Sequence, residues 1–227
     1  MTDKEYRILF IGNSYTYFNE MPTELFSVIA KEAGYSVEVE SVVRGGWTLE
    51  KQADPESETG SVVSSLLSGN AYDYVILQEQ SLRPALNSSP FYSAVRTLVS
   101  RIRDTGARPL LYSTWGRKAG SPKLTEHGLT NESMTYSLAR AYRDIGRELD
   151  TTVSYVGLAF YDVGDRVELY NSDMSHPSRE GSYLAALTLF LSIFGDSEHL
   201  SDCGISPDIT SVLKQAARKA VFDTPEF

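Results

Sequence analysis

"ILFIGNSYTYFNEMP", from Ile8 to Pro22, joins a strand-like run to a helix start through a serine. Four consecutive apolar residues, Ile8 to Ile11, are the pattern of a strand covered on both faces, as in a parallel sheet. Gly12 ends the run, Asn13 and Ser14 follow, and a helical pattern begins near Pro22. Three roles fit Ser14 on this stretch alone. With Asn13 it can cap or turn into the first helix, since Ser and Asn are common there. It can belong to a phosphate cradle, although only Gly12 precedes it and neither GxGxxG nor GxxxxGK[ST] occurs in the chain. It can be a nucleophile, and that role requires a base elsewhere.

Outward from Ile8, strand-like runs alternate with helix-like ones. Strands are expected at Tyr6–Ile11, Val37–Val43, Tyr74–Leu77, Arg108–Ser113 and Val153–Val156. Helical periodicity occupies Pro22–Ala33, Ser61–Leu67, Phe91–Arg103, Met134–Leu149, Arg179–Phe194 and Ile209–Val221. Gly34, Gly106 and Gly195 stand just past periodic segments, where a left-handed C-cap is wanted. Five strands separated by helices imply right-handed crossovers and a parallel sheet between helical layers. The polar stretches Gln52–Gly60 and Gly116–Gly128 read as surface loops, so residues 1–227 are expected to form a single domain. Ligands in such sheets bind at the carboxyl ends of the strands, where Ser14, Gly45-Gly46, Gln78 and Trp115 all fall.

The chain has 227 residues, 41% hydrophobic and 22% charged, with a net charge of -9. That acidity argues against non-specific binding to nucleic acid or to anionic membranes. One cysteine, Cys203, rules out an internal disulfide or a multi-cysteine metal site, and no metal or cofactor is expected. The longest apolar run, Tyr183 to Gly195, is too short for a span and reads as a buried helix. No signal peptide is visible at the N-terminus, so the expected compartment is the cytoplasm, although a processed secretory precursor would look the same.

A base for Ser14 must come from three histidines. His127 and His199 lie in polar loops. His176 instead sits in "SDMSHPSREGSYLAA", three residues after Asp173 and directly before Pro177. On one tight turn a D-x-x-H pair can bond the carboxylate to Nδ1–H and leave Nε2 facing a nucleophile. Pro177 restricts the backbone of His176 to extended conformations, and Ser178 can cap the helix that follows. A purely structural turn has the same sequence.

"FIGNSYT" after the first strand, with "DMSHPSREGSYLAA" before the last core helix, resembles the SGNH (GDSL-like) hydrolases across nearly the whole chain. The resemblance implies a three-layer α/β/α domain with a flavodoxin-like five-stranded sheet. It implies a Ser14–His176–Asp173 triad, an ester substrate and no cofactor. The family's second block supplies an oxyanion glycine. "VVRGGWTLE" resembles that block and points to Gly46, with Gly45 as the alternative. The third block normally ends in G-x-N-D, and this chain has "YVILQEQSLRP". That string is more similar to the Q-G-E-S variant of carbohydrate acetylesterases, which puts Gln78, or alternatively Gln80, beside the oxyanion. The first block departs too, with GNS for GDS.

The expected activity is therefore a serine esterase acting through an acyl-enzyme, with Ser14 N–H, Gly46 N–H and the Gln78 amide as oxyanion donors. The acetylesterase-like block and the aromatic surroundings (Tyr15, Trp47, Trp115) suggest a short acyl group on a carbohydrate-like alcohol. Arg83 and Arg117 follow two strand ends and can meet an anionic substituent. A lysophospholipase or thioesterase of the same family is the alternative, and a flavodoxin-like binding protein is the non-enzyme rival.

Overall fold

The computed structural model describes residues 4–223. Five strands form one parallel sheet in the order β2-β1-β3-β4-β5. They are β1 (Glu5–Gly12), β2 (Ser36–Val43), β3 (Tyr74–Leu77), β4 (Arg108–Tyr112) and β5 (Thr152–Ser154). Helices α1 (Ser14–Tyr17) and α2 (Ser27–Glu32) lie between β1 and β2, with a wider π turn at Met21–Phe26. α3 (Leu49–Ala53) and α4 (Glu58–Gly69) lead to β3, and α5 (Arg83–Leu86) and α6 (Ser88–Asp104) to β4. α7 (Pro122–Glu126) and α8 (Asn131–Glu148) precede β5, and α9 (Val156–Val163), α10 (Arg179–Phe194) and α11 (Pro207–Phe222) complete the chain.

β1 is covered on both faces because alternate side chains feed two cores. Ile8 and Phe10 join Ile76, Leu110 and Tyr112 against α9, α10 and α11. Leu9 and Ile11 join Val75, Leu77 and Leu111 against α3, α4, α6 and α8. α10 is buried almost all round, since it lies between the sheet and the outer helices. β2 is an edge, and its outward Glu38 and Glu40 carry charge toward solvent, where they meet Arg7. Because the chain leaves β1 first toward β2 and later returns on the other side as β3, the crevice between β1 and β3 is the switch point of the topology.

The five-stranded parallel sheet and five of the six expected helices agree with the sequence reading, and Gly34, Gly106 and Gly195 all take positive φ. The differences are local. The helix expected over Pro22–Ala33 opens as the π turn, in which the Ser27 N–H reaches Pro22 O. The strand expected over Val153–Val156 ends at Ser154, and α9 begins at once. Gly157 makes this possible: its N–H donates to Ser113 O at 3.0 Å, and its Cα packs on the Thr114 carbonyl. No helix among the described residues is long and apolar enough to cross a membrane.

A methyl group at Gly157 would stand 2.2 Å from Thr114 O, which is backbone and has nowhere to go. Gly157→Ala is expected to lower unfolding free energy by about 1–3 kcal/mol or more, the cost of overpacking. Urea titration should read this as a lower midpoint at unchanged m-value. A midpoint within error of wild type would mean that α9 shifts freely along the end of β4.

Candidate active site

Ser14 follows the C-terminal end of β1 and opens α1, and it is 8% exposed. The turn before it is organised by Asn13, whose extended backbone (φ -143°) is that of an N-cap. Asn13 Oδ1 accepts from Tyr15 N at 3.1 Å, and its Nδ2 donates to Trp47 O at 2.9 Å. Its own N–H donates to Gln78 Oε1 at 2.9 Å. One residue thus ties the ends of β1, β2 and β3 together around Ser14.

His176 Nε2 stands 2.9 Å from Ser14 Oγ, although 162 positions separate the two residues. His176 Nδ1 bonds Asp173 Oδ2, and Asp173 Oδ1 accepts from the N–H groups of Ser175 and His176 at 3.0 and 2.9 Å. Partial burial by itself would raise the Asp173 carboxyl. The bonds from His176 and from the two N–H groups outweigh it and hold the pKa below the ordinary carboxylate value. The turn closes through Asn171 N–H to His176 O at 2.8 Å and through the Tyr170–Pro177 bridge, with Met174 in the left-handed region (φ 59°). Ser178 caps α10 by accepting from Gly181 N. His127 and His199 are exposed loop residues remote from this turn.

An aromatic stack fixes the turn from behind. Tyr15 lies flat on Trp115 (centroids 4.6 Å apart, 4° between planes), and Trp115 lies on Phe160 (4.1 Å, 5°). Trp115 Nε1 donates to Ser175 O at 3.0 Å, and the Tyr15 hydroxyl bonds Ser175 Oγ at 2.7 Å. Tyr15 and Trp115, expected to line a substrate pocket, are buried and hold up the base instead; Trp47 alone of the three is partly exposed. On the open side Phe18 stacks on the His176 ring at 4.3 Å. Asn19, left-handed at φ 53°, donates to Pro177 O, Ser178 O and Ser182 Oγ. Phe18 and Asn19 escaped sequence reasoning, because nothing in "YTYFNE" distinguishes a ring that covers a histidine from one in a core.

Gly45 and Gly46 form a turn in which Trp47 N–H donates to Arg44 O at 3.1 Å. Gly46 has φ 71°, the conformation that a type II turn demands of its third residue. Among the described residues the N–H groups of Ser14, Gly45 and Gly46 make no hydrogen bond. Gln78 differs from expectation. Its Oε1 accepts from Asn13 N–H and from Thr16 Oγ1, both at 2.9 Å, and its Nε2 donates to Glu79 O. That side chain is buried; its oxygen is committed to bracing the serine turn, and its amide nitrogen keeps one N–H beyond the bond to Glu79. Gln80 lies farther past the strand end and is partly exposed. Its Oε1 accepts from the N–H groups of Leu82 and Arg83 at 3.0 and 3.1 Å, and its amide nitrogen makes no bond among the described residues.

Between these two glutamines lies a carboxylate that the sequence reading passed over. Glu79 is fully buried, and its oxygens accept from Leu49 N–H (3.2 and 3.3 Å) and Gln80 N–H (2.6 Å). It clamps the loop carrying Gly46 to the loop carrying Gln80. Burial pushes its carboxyl up to about 7, against the lowering effect of those N–H groups and of Arg83. Among the described residues no three His, Cys, Asp or Glu side chains are grouped to share a metal ion.

The chain is similar to a protein of Slackia heliotrinireducens assigned to the SGNH hydrolases, at 32% identity. That match covers 83% of this chain and 98% of the other, with a TM-score of 0.72. A DUF4886 family protein from Bacteroides uniformis ATCC 8492 matches over 99% of this chain and 98% of its own, at 18% identity and a TM-score of 0.81. An acetyl-xylooligosaccharide esterase from Geobacillus shares the fold at 14% identity and a TM-score of 0.62, over 86% of this chain and 97% of its own. No protein-family model and no curated protein matches the chain.

The Glu79 clamp carries a pH signature. Its folded-state pKa lies above the unfolded value of 4.5, so the native state holds the proton more tightly. The stability this adds is fully present below the unfolded value and is lost as pH rises through about 7. Relative to wild type, Glu79→Gln should therefore gain unfolding free energy between those two values, by up to about 1.4 kcal/mol per pH unit. Urea titrations across that window check it. A difference that does not vary with pH would mean the carboxyl titrates alike in both states.

Proposed function

The chain belongs to the SGNH hydrolases, and from that premise we propose that it is a serine esterase with Ser14, His176 and Asp173 as its triad. The observation that carries this reading is His176 Nε2 at 2.9 Å from Ser14 Oγ while Nδ1 bonds Asp173. Ser14 Oγ attacks the ester carbonyl as His176 takes its proton. The tetrahedral intermediate collapses by expelling the alcohol, which receives that proton from His176. Water, deprotonated by His176, then releases the acyl group and restores Ser14. Asp173 fixes the tautomer and stabilises the imidazolium, a task suited to a carboxylate whose pKa is held low.

Oxyanion stabilisation is assigned to the unpaired N–H groups of Ser14 and Gly46 and to the Gln80 amide, not to Gln78. Gly45, whose N–H is also unpaired, is the alternative donor. The substrate proposed is an ester of a short acyl group with a carbohydrate-like alcohol. Its support is the acetylesterase-like third block, the likeness to the acetyl-xylooligosaccharide esterase fold, and the partly exposed ring of Trp47.

Wild-type protein should hydrolyse p-nitrophenyl acetate and label with a fluorophosphonate probe, whereas Ser14→Ala should do neither. Ser14→Ala and His176→Ala should each cost several orders of magnitude in kcat with little additivity, and Asp173→Asn up to ~10⁴-fold. Labelling that survives in Ser14→Ala would move the nucleophile elsewhere.

The two glutamines separate in a second measurement. Gln80→Ala should lower kcat by roughly 10²–10³-fold with a smaller change in KM. Gln78→Ala should chiefly lower stability, because it strands the Asn13 N–H that it accepts from. A Gln78→Ala protein of wild-type stability with collapsed kcat would return the oxyanion role to Gln78.

A further inference from the structure

Five cations flank the carboxyl ends of the strands; three are neutralised, and a fourth, Lys51, lies over the Trp47 ring and is exposed to water. Arg44 pairs with Glu58 and lies over the Trp47 ring. Arg83 pairs with Glu50 at 2.5 Å, and Lys118 pairs with Glu168. Arg117 is the exception. Its guanidinium makes no hydrogen bond or ion pair among the described residues: Nε is covered, and the two Nη groups, equally unpartnered, reach solvent. Arg140 and Arg147 on α8 also have no such bond, but both are exposed and water serves them.

The backbone of Arg117 is fixed on two sides while its side chain remains unused. Its N–H points at Met134 Sδ at 3.5 Å, and its carbonyl accepts from Asn131 Nδ2 at 2.8 Å. The guanidinium acts electrostatically on the buried Tyr15 hydroxyl, which bonds Ser175 in the Asp173–His176 turn. That turn hangs on the residues either side of the Gly116-Arg117 pair: Trp115 Nε1 donates to Ser175 O, and Lys118 N–H donates to Met174 O at 3.0 Å. An unpartnered guanidinium fork, partly open to solvent on a fixed backbone, is placed to meet a partner brought in by the substrate.

We infer that Arg117 is a specificity-determining residue that binds an anionic group, a carboxylate or an ester-linked phosphate, on the alcohol half of the substrate. The inference rests on the esterase reading of the Ser14 site. The alcohol half is chosen by geometry. His176 must return its proton to the leaving oxygen, and the turn carrying His176 rests on the β4 loop that holds Arg117. The oxyanion glycines come from the end of β2, on the far side of Ser14. Arginine suits the task, since its planar fork pairs two oxygens at once. With a net charge of -9 the protein repels anions at long range, so the preference must arise at this contact.

The test compares three esters on the full-length protein: 3-acetoxybenzoate, its neutral methyl ester, and p-nitrophenyl hydrogen succinate, whose anion lies in the acyl half. Wild type should prefer 3-acetoxybenzoate over its methyl ester in kcat/KM by roughly 10- to 100-fold, the range of hydrogen bonds to charged groups. The preference should shrink as salt is raised. In Arg117→Gln the ratio should collapse toward unity, and Arg117→Lys should keep part of it as a point charge without the fork. Arg140→Gln, on the exposed face of α8, should leave the ratio where it was. Equal rates for the first two esters in wild type, or a preference that persists in Arg117→Gln, would overturn the inference. A preference for the succinate alone would overturn its assignment to the alcohol half. Failure of wild type to hydrolyse any ester would remove the esterase reading itself, whereas hydrolysis of the methyl ester without anion preference removes only the role of Arg117.

Discussion

The site depends on the hydrogen bonds of Asn13. Its N–H, side-chain oxygen and side-chain nitrogen are each committed, to Gln78, Tyr15 and Trp47 respectively. A nucleophile at the end of a strand is useful only if its neighbours keep register with it, because a displacement of one ångström at the reacting atom is costly. Asn13 transmits the register of the sheet to Ser14. The strands are packed on both faces and cannot slide, and the three bonds carry that rigidity past the strand ends into the loops. Gly12 is part of the same arrangement: a Cβ there would stand 2.6 Å from both Gln78 Oε1 and Thr16 Oγ1.

The other half of the site is held by different physics. The Asp173–His176 turn is exposed and belongs to no strand, so the sheet cannot position it directly. It is set by stacked rings and by Ser175, which receives one bond from Tyr15 and one from Trp115. Tyr15 is the residue after Ser14. Ser14 and His176 therefore share a brace, and a movement of the turn would have to unstack Tyr15 from Trp115. Asn19 closes the arrangement on the solvent side by holding the turn that follows α1 against Pro177 and Ser178.

The sheet was legible because its signals are local: an apolar run is buried on both faces wherever it lies, and β1 shows this from Ile8 onward. The Ser14, Asp173 and His176 positions were legible because their order and neighbours resemble a known family's. What lay beyond sequence was the assignment of side chains with several uses. Gln78 and Gln80 look alike two residues apart, and only the direction of their amides separates a brace from a free donor. Tyr15 and Trp115 read as pocket aromatics because burial behind a turn leaves no mark on composition. Glu79 was passed over because a buried carboxylate is rare, and its partners are backbone N–H groups that no residue type advertises.

The two departures from the family's blocks meet at residue 13. With GDS, the carboxylate of an aspartate at position 13 would face the Trp47 carbonyl, acceptor against acceptor, where Asn13 Nδ2 now donates. The third block's glutamine brings its own oxygen to the Asn13 N–H and to Thr16, on the other side of the same residue. A neutral amide at position 13 can donate to the Trp47 carbonyl, whereas a carboxylate there would be buried facing an acceptor with too few donors to satisfy it. Gln78, its oxygen spent on the serine turn, lies buried with one amide N–H left, whereas Gln80 stands farther along the loop, partly exposed, with its oxygen spent and its nitrogen free, which is why the oxyanion role is proposed for Gln80.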